Sequence, residues 1–445
     1  MDEQLLELEI KLLDELMGKI NLLQEKEERE KIAHEGLDKL CGRLEKDLLL
    51  EKVQTLKSKE ERGQFLEQFF SYGIIDELFR DDGTEDIIIN SLNFIQVHHS
   101  KNGLVKTDRR FSSQKELDLF IKKLLVFSGR DSLKKINNLE LPQIEGRVNI
   151  TYSPFGPQIT ITRTKTHPLS IVSLIANNSV SVEMAALIWL YVEGLSVKPA
   201  NIIIAGGPGV GKTTLLNALF SFISEKERVV VIEDTLELNT QMEDNYSRLE
   251  SDDDISLLEL VKDSLRMRPD RIVIGEVRGE EARDLMTAIN TGKYCLGSLH
   301  AGSAREAIIR LNNEPMRVPH ILINLIDAFI VMKKFQNKDS VFRVASEITE
   351  TAGMEQNMIL LSPVYAYNYE QRNFINVAPS SIYCERLSKT SGFSLKEIMR
   401  ELARRALVLK ALKDNNIFEL RQVSGFCRRY CTEPDKVISQ LKIKV

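Results

Sequence analysis

The sequence predicts an α/β protein with a parallel sheet at its centre, and three observations predict it. Short apolar runs at residues 202–204, 229–232 and 272–274 have the length and β-branched content of strands buried on both faces. Helical patterns lie between them, giving the βαβ rhythm that joins parallel strands through crossover helices. The first run passes directly into Gly206-Gly207-Pro208-Gly209-Val210-Gly211-Lys212-Thr213, a glycine-rich turn at the head of a helix over residues 213–222.

The elements around this core follow in chain order. Residues 1–55 contain no proline and are rich in Leu, Glu and Lys, and Leu6, Ile10, Leu13, Met17 and Ile20 recur at spacings of four and three. This predicts an N-terminal helical arm, either packed on the rest of the protein or serving as a partner-binding or oligomerising arm. Residues 56–166 read as an N-terminal α/β domain with hairpins. Its strand segments include Ile87-Ile88-Ile89, Phe94-Ile95-Gln96-Val97, Val148-Asn149-Ile150 and Gln158-Ile159-Thr160-Ile161, and a helix over 113–127 presents Leu117, Phe120, Ile121 and Leu124 on one face. A linker is expected over 167–178, opening at His167-Pro168, and the core spans 179–335. Residues 336–445 read as a mostly helical C-terminal extension, with strand segments at 342–344 and 358–361 and helices over 394–413 and 421–430.

Composition excludes several classes. The chain has 445 residues, 43% hydrophobic and 28% charged, which rules out global disorder and a disulfide-stapled miniprotein. A net charge of -5 leaves no excess of cations to neutralise a nucleic-acid backbone over a long footprint. The five cysteines, Cys41, Cys295, Cys384, Cys427 and Cys431, form no C-x-x-C pair and suit a reducing compartment; Cys427 and Cys431 share a helix face, as packing residues do. The acidic start Met1-Asp2-Glu3 argues against an export signal, and no stretch reaches the ~18 apolar residues of a membrane span.

The glycine-rich turn fits G-x-x-x-x-G-K-[ST] between a strand and a helix, the context in which that pattern binds nucleotide phosphates. Backbone N–H groups of Gly206, Gly207, Pro208-flanked Gly209, Val210 and Gly211 can curve around phosphate oxygens, and the helix N-terminus adds positive potential. Lys212 then reaches the β and γ phosphates of ATP, Thr213 offers a hydroxyl to Mg²⁺, and Thr214 follows on the same turn. Three polar clusters complete the pattern. Glu233, Asp234 and Glu237 follow the run 229–232, at the strand end where ligands sit in open α/β sheets. Gly275-Glu276 ends the run 272–274, and Glu276 can hold Mg²⁺ through water or polarise the attacking water. His300, after Gly297-Ser298-Leu299, can contact the γ phosphate. Either Glu233 or Glu276 can serve as the base.

The order of these elements, with residues 265–279 and 298–311 read as blocks, resembles the secretion ATPases of type II and type IV secretion, type IV pili and the archaellum. The resemblance is strongest from about 147 to 334. It assigns Gly206 to Thr213 to Walker A, Glu233 to Glu237 to the Asp box, Gly275-Glu276 to Walker B and His300 to the His box. Residues 265–271 and Glu314-Pro315-Met316-Arg317-Val318-Pro319 look most like the archaeal pilus and archaellum branch, with tight-adherence pilus ATPases next. The resemblance implies a RecA-like P-loop NTPase core, a homo-hexamer, and arginines reaching an active site between domains. Arg147, Arg163 and Arg266 match those arginines. Two departures stand out: Gly292-Lys293-Tyr294 replaces the usual glycine-histidine pair, and residues 139–145 replace the usual aspartate-alanine-arginine-leucine stretch.

The expectation is therefore a Mg²⁺-dependent ATPase that sits in the cytoplasm at the inner face of the membrane. It would drive secretion or assembly of a pilus-like filament through a polytopic membrane platform protein, with nucleic acid not a partner. Two rivals remain: a nucleic-acid-stimulated RecA-like ATPase, and a nucleotide-binding scaffold that does not turn over.

Overall fold

The computed structural model describes residues 3–20, 24–44, 56, 58–81, 83–100, 102–130, 132–141, 146–163, 168–238, 245–251, 254–336, 341–378 and 381–443. The chain forms two compact units, Met1–Thr166 and His167–Val445.

The first unit holds an antiparallel sheet of six strands, β1 (Thr84–Asn90), β2 (Gln96–His99), β3 (Gly103–Lys106), β4 (Ile136–Leu141), β5 (Gly146–Ser153) and β6 (Gly156–Arg163), in the order β3-β2-β1-β6-β5-β4. Strand alternation sends Ile87, Ile89, Val148, Ile150, Ile159 and Ile161 to one buried face. Helix Gln114–Phe127 packs in the same apolar cluster, its N-terminus capped by Ser113, whose hydroxyl accepts from the Glu116 N–H at 3.3 Å.

Helix Glu3–Leu16 is part of this unit and braces it. Its buried side chains are Leu6, Leu8, Glu9, Leu12, Leu13 and Leu16, while Ile10, and Met17 just past its end, are only half-buried. The heptad seam expected from spacing is thus a broader face of period 3.6, as a helix lying on a globular core requires. Within it Glu9 meets Lys123 of helix Gln114–Phe127 at 3.0 Å, both side chains buried. Residues 45–55 of the expected arm lie outside the described residues.

The second unit is built on one nine-stranded sheet. Its strands are β7 (Ile202–Gly206), β8 (Val229–Glu233), β9 (Tyr246–Glu250), β10 (Arg271–Val277), β11 (Tyr294–Leu299), β12 (Ala328–Gln336), β13 (Val341–Glu355), β14 (Met358–Asn368) and β15 (Asn373–Asn376). The order is β15-β14-β13-β12-β7-β11-β10-β8-β9. Strands β12, β7, β11, β10, β8 and β9 are parallel, and β13 to β15 continue the sheet antiparallel beyond β12. This is the parallel sheet that the apolar runs predict and the kind of core that the resemblance implies, a RecA-like P-loop fold, with every residue of β7 and β8 buried.

Two expectations about organisation are corrected. The linker expected over 167–178 contains helix Ile171–Ala176, capped by Ser170, with Ile171, Val172, Leu174 and Ile175 in the apolar core. The four apolar residues of this helix, three to seven positions after Pro168, are core residues. The boundary expected at 335/336 falls inside β12, and β13 to β15 make residues 341–376 part of the core sheet. The helical remainder is joined to it by burial: Ile398, Val408, Leu409, Leu412, Val423 and Cys427 share one apolar cluster with Trp189. Arg405 of helix Leu395–Asp414 meets Glu193 of helix Val182–Glu193 at 2.7 Å, and its guanidinium stacks 4.9 Å over the Trp189 ring.

Candidate nucleotide site

Because β7, β11, β10 and β8 are adjacent and parallel, the residues that follow their C-terminal ends converge at one edge of the sheet. β7 ends in the glycine-rich turn. Gly206 admits no side chain, since a Cβ there would stand 2.6 Å from Val210 Cγ2 and 2.7 Å from the Met332 carbonyl oxygen. Gly209 and Gly211 hold φ of 66° and 98°, a backbone conformation glycine adopts without strain. Helix Lys212–Leu219 begins at Gly211 with no side-chain cap, so its first N–H groups are donors available to an anion.

Lys212 is the buried cation of this edge. Its Nζ donates to the Gly207 carbonyl at 3.1 Å and lies 3.3 Å from His300 Nδ1. Burial holds its pKa below the ordinary lysine value, against the opposing pull of Glu276. His300 follows β11, the neighbour of β7, with Nδ1 3.2 Å from the Gly206 carbonyl and Nε2 2.7 Å from Glu276 Oε1.

Glu276 sits where the β10 register shifts against β11 between Ile274 and Val277, and Ser298 Oγ ties the Gly275 carbonyl at 2.6 Å. Its Oε1 is 3.8 Å from Lys212 Nζ and receives no well-aligned hydrogen bond; its Oε2 accepts from Arg278 Nε at 2.8 Å and from Arg278 Nη2. Glu233, at the end of β8, is 3% exposed. Its Oε1 accepts from the Glu237 and Leu238 N–H groups, both at 3.0 Å, and its Oε2 has no hydrogen-bond partner. Burial pushes the Glu233 carboxyl up to about 7, although those two N–H groups and Arg248 pull the other way. Gly275 makes room for it, because a Cβ there would meet Glu233 Cγ at 2.9 Å.

No group of three or more His, Cys, Asp or Glu side chains among the described residues forms a metal cage. Mg²⁺ needs no such cage, because it binds through one or two protein oxygens together with phosphates and water. The half-buried Thr213 hydroxyl and the Glu276 carboxylate, whose Oε1 also faces His300, are oxygen ligands of the right kind beside the loop, so the residues fit the ion.

The structure brings together Lys212, Glu276 and His300, with Glu233 beside Gly275. Arg266 is not brought to them: it is exposed on the short helix Leu265–Met267, before the first residue of β10, at the sheet edge opposite the cluster. Arg147 and Arg163 belong to the first unit, on adjacent strands β5 and β6. Arg147 pairs with Thr162 and Arg163 with Gly146, which sets the two arginines on opposite faces of the sheet. Arg163 donates to the Asp81 carbonyl at 3.2 Å and stacks 5.5 Å over Phe79.

Sequence reasoning gave no role to three arginines. Arg343 of β13 donates to the Gly209 carbonyl at 2.9 Å, inside the loop, and only the antiparallel return of β13 puts it there. Arg271, fully buried at the head of β10, pairs with Glu227 at 2.8 Å and donates to the Val192 carbonyl at 2.8 Å. Arg278 reaches Asp234 Oδ2 with Nη1 at 3.3 Å as well as Glu276.

The parallel sheet, the glycine-rich loop and the carboxylates at its edge define a P-loop nucleotide-binding protein. Residues 137–338 match the family described as type II/IV secretion system protein. The chain is 36% identical over 247 residues to an uncharacterised protein of Methanocaldococcus jannaschii, covering 54% of this chain and 90% of that one. It is 30% identical over 263 residues to a candidate conjugal transfer protein of Mycobacterium tuberculosis, covering 54% and 71%. It is 34% identical over 161 residues to the type IV secretion system protein VirB11 of Bartonella quintana, covering 32% and 45%. The chain belongs to the type II/IV secretion system protein family.

Proposed function

We propose that this protein is a Mg²⁺-dependent ATPase whose hydrolysis cycle drives a secretion or pilus-assembly machine. The observation that carries the proposal is the convergence of Lys212, His300 and Glu276 on one another and on the phosphate-type loop, at distances of 2.7–3.8 Å. In this reading Lys212 and the N–H groups at the head of helix Lys212–Leu219 hold the β and γ phosphates, with Thr214 on the same turn. Thr213 and Glu276 would hold Mg²⁺, which would supply charge neutralisation at the phosphate oxygens. His300 spans the gap between loop and Glu276, so loss of the γ phosphate is felt at the end of β11.

Hydrolysis breaks the bond between the γ phosphorus and the β–γ bridging oxygen as a water oxygen attacks in line, and the water's proton must go to a base. Glu233 is assigned that role. Its Oε2 accepts no hydrogen bond, with the Arg248 guanidinium 3.8 Å away, and its carboxyl, raised to about 7, matches the operating range of a general base. Glu276, engaged by Arg278 and His300, is assigned to the metal side.

The protein is further proposed to work as a homo-hexamer on a polytopic membrane platform protein, from the inner face of the cytoplasmic membrane, in the manner of the archaeal pilus and archaellum branch. Membership of the secretion family supports this, as does the M. jannaschii relative. Among the described residues no helix is long and apolar enough to cross a membrane. Arg147, Arg163 and Arg266 enter as cations supplied across the assembly. ATP turnover recorded alongside light scattering, with and without DNA or RNA, tests the proposal. Turnover that rises with hexamer formation and ignores nucleic acid is expected; turnover by monomers stimulated by nucleic acid would overturn the secretion reading.

A further inference from the structure

The carboxylate assigned to the metal side does not stand alone. From its own strand end, Glu276 Oε2 is held by Arg278, two residues on, through Nε at 2.8 Å and through Nη2. The third guanidinium nitrogen, Nη1, reaches Asp234 Oδ2 at 3.3 Å, one residue past the end of β8. A single planar group therefore ties together the ends of two neighbouring strands, β10 and β8. Asp234 is itself fixed from its other oxygen, Oδ1, which accepts from Ser251 Oγ at 3.0 Å.

The backbone beneath Arg278 is built to hold it. Glu281, 6% exposed, accepts through Oε1 from the Arg278 N–H at 2.6 Å and from the Gly279 N–H at 2.7 Å. Gly279 leaves room for this carboxylate, since a Cβ there would stand 2.8 Å from Glu281 Oε2 and push it aside. The buried carboxylate fixes the turn after β10, and the turn aims the guanidinium back over Glu276. An ordinary exposed ion pair contributes little because both side chains must be ordered from solution; here the Arg278 side chain is 60% exposed, but its backbone is already fixed and its partner, Glu276, is only 17% exposed.

We propose that Arg278 is a positioning residue: anchored by Glu281, it locks the Glu276 carboxylate by its Oε2 so that Oε1 faces Lys212, His300 and the metal, and it couples that carboxylate to Asp234 on β8. The inference rests on the nucleotide reading of the site. A fork geometry is required, because a guanidinium binds two carboxylates at once and an ammonium is a point charge.

The test measures how far Mg²⁺ tightens binding of a non-hydrolysable ATP analogue, together with turnover, in wild type, Arg278→Gln, Arg278→Lys, Glu276→Gln and the Glu276→Gln/Arg278→Gln double variant. Arg278→Gln is expected to lose at least about fivefold of the Mg²⁺-dependent tightening and at least about tenfold in kcat, while Mg²⁺-free analogue affinity stays within about twofold. Arg278→Lys recovers part of the loss, and the double variant binds as Glu276→Gln does, because Arg278 acts through Glu276. An Arg278→Gln protein with wild-type tightening and turnover, or losses that add to those of Glu276→Gln, would overturn the inference alone. A wild-type protein whose analogue binding ignores Mg²⁺ would overturn the nucleotide reading and the inference with it.

Discussion

Glu233→Gln is predicted to change how the stability of the second unit depends on pH. The wild-type carboxyl is 3% exposed and is pushed by burial from the ordinary 4.5 up to about 7. The folded protein therefore holds this proton more tightly than the unfolded chain does. Its contribution to stability is complete below about pH 4.5 and is lost as pH rises through 7. Between pH 5 and pH 8 the wild type gives up about 2–3 kcal/mol through this group, and the variant, which has no proton to release, gives up none. The variant's Oε1 still accepts the Glu237 and Leu238 N–H groups, so the comparison isolates the charge. Thermal unfolding followed from pH 5 to 8 should show the wild-type midpoint falling by about 5–10 °C more than the variant's. Wild-type turnover should rise as pH increases through about 7, and the variant should lose at least about a hundredfold in kcat. Parallel unfolding curves for the two proteins would refute the reasoning, because they would place the Glu233 proton at an ordinary carboxylate affinity.

Further outcomes follow from other contacts. Gly206→Ala forces a methyl against the Val210 side chain and the Met332 carbonyl; it should cut nucleotide affinity at least about tenfold by equilibrium binding while the far-ultraviolet circular dichroism stays native. Arg405→Ala leaves the buried Glu193 carboxylate without its cationic partner and should destabilise the second unit by about 3–5 kcal/mol in urea, whereas the Arg405→Met/Glu193→Gln pair, which keeps packing over Trp189 and strands no charge, should lose clearly less. Lys123→Met strands Glu9 and should lower the unfolding midpoint of the first unit, and adding Glu9→Leu should recover most of that loss; equal midpoints in all three proteins would mean that helix Glu3–Leu16 does not brace the unit.

Much of the site was legible because its chemistry is local in sequence. The loop carries its own glycines, lysine and threonine within eight residues, and Glu233, Glu276 and His300 each follow directly on an apolar run. Parallel topology then needs only strand adjacency to bring them together, which β7, β11, β10 and β8 supply. What sequence could not show is what depends on distant chain or on rotamers. Arg343 reaches Gly209 only because β13 returns antiparallel along β12, and Arg278 looks from its spacing like a surface partner of Glu276 until its third nitrogen is found on Asp234. The linker at 167–178 was misread for a related reason: His167-Pro168 is a strong local breaker, and the burial of Ile171, Val172, Leu174 and Ile175 is decided by helices far away in sequence. The arm's spacing suited a seam, but spacing does not reveal Lys123, whose pairing with Glu9 accounts for a charge in the middle of a buried face.

The most direct test of the account is phosphate release from ATP by the purified protein, compared between wild type, Lys212→Ala and Glu276→Gln, in Mg²⁺ and in excess chelator. The account predicts steady release by the wild type in Mg²⁺, none above background in chelator, and losses of at least about a hundredfold in both variants at unchanged secondary structure. Release that persists at the wild-type rate in Lys212→Ala would contradict it, because the cluster at the ends of β7, β10 and β11 would then not be where ATP is cleaved.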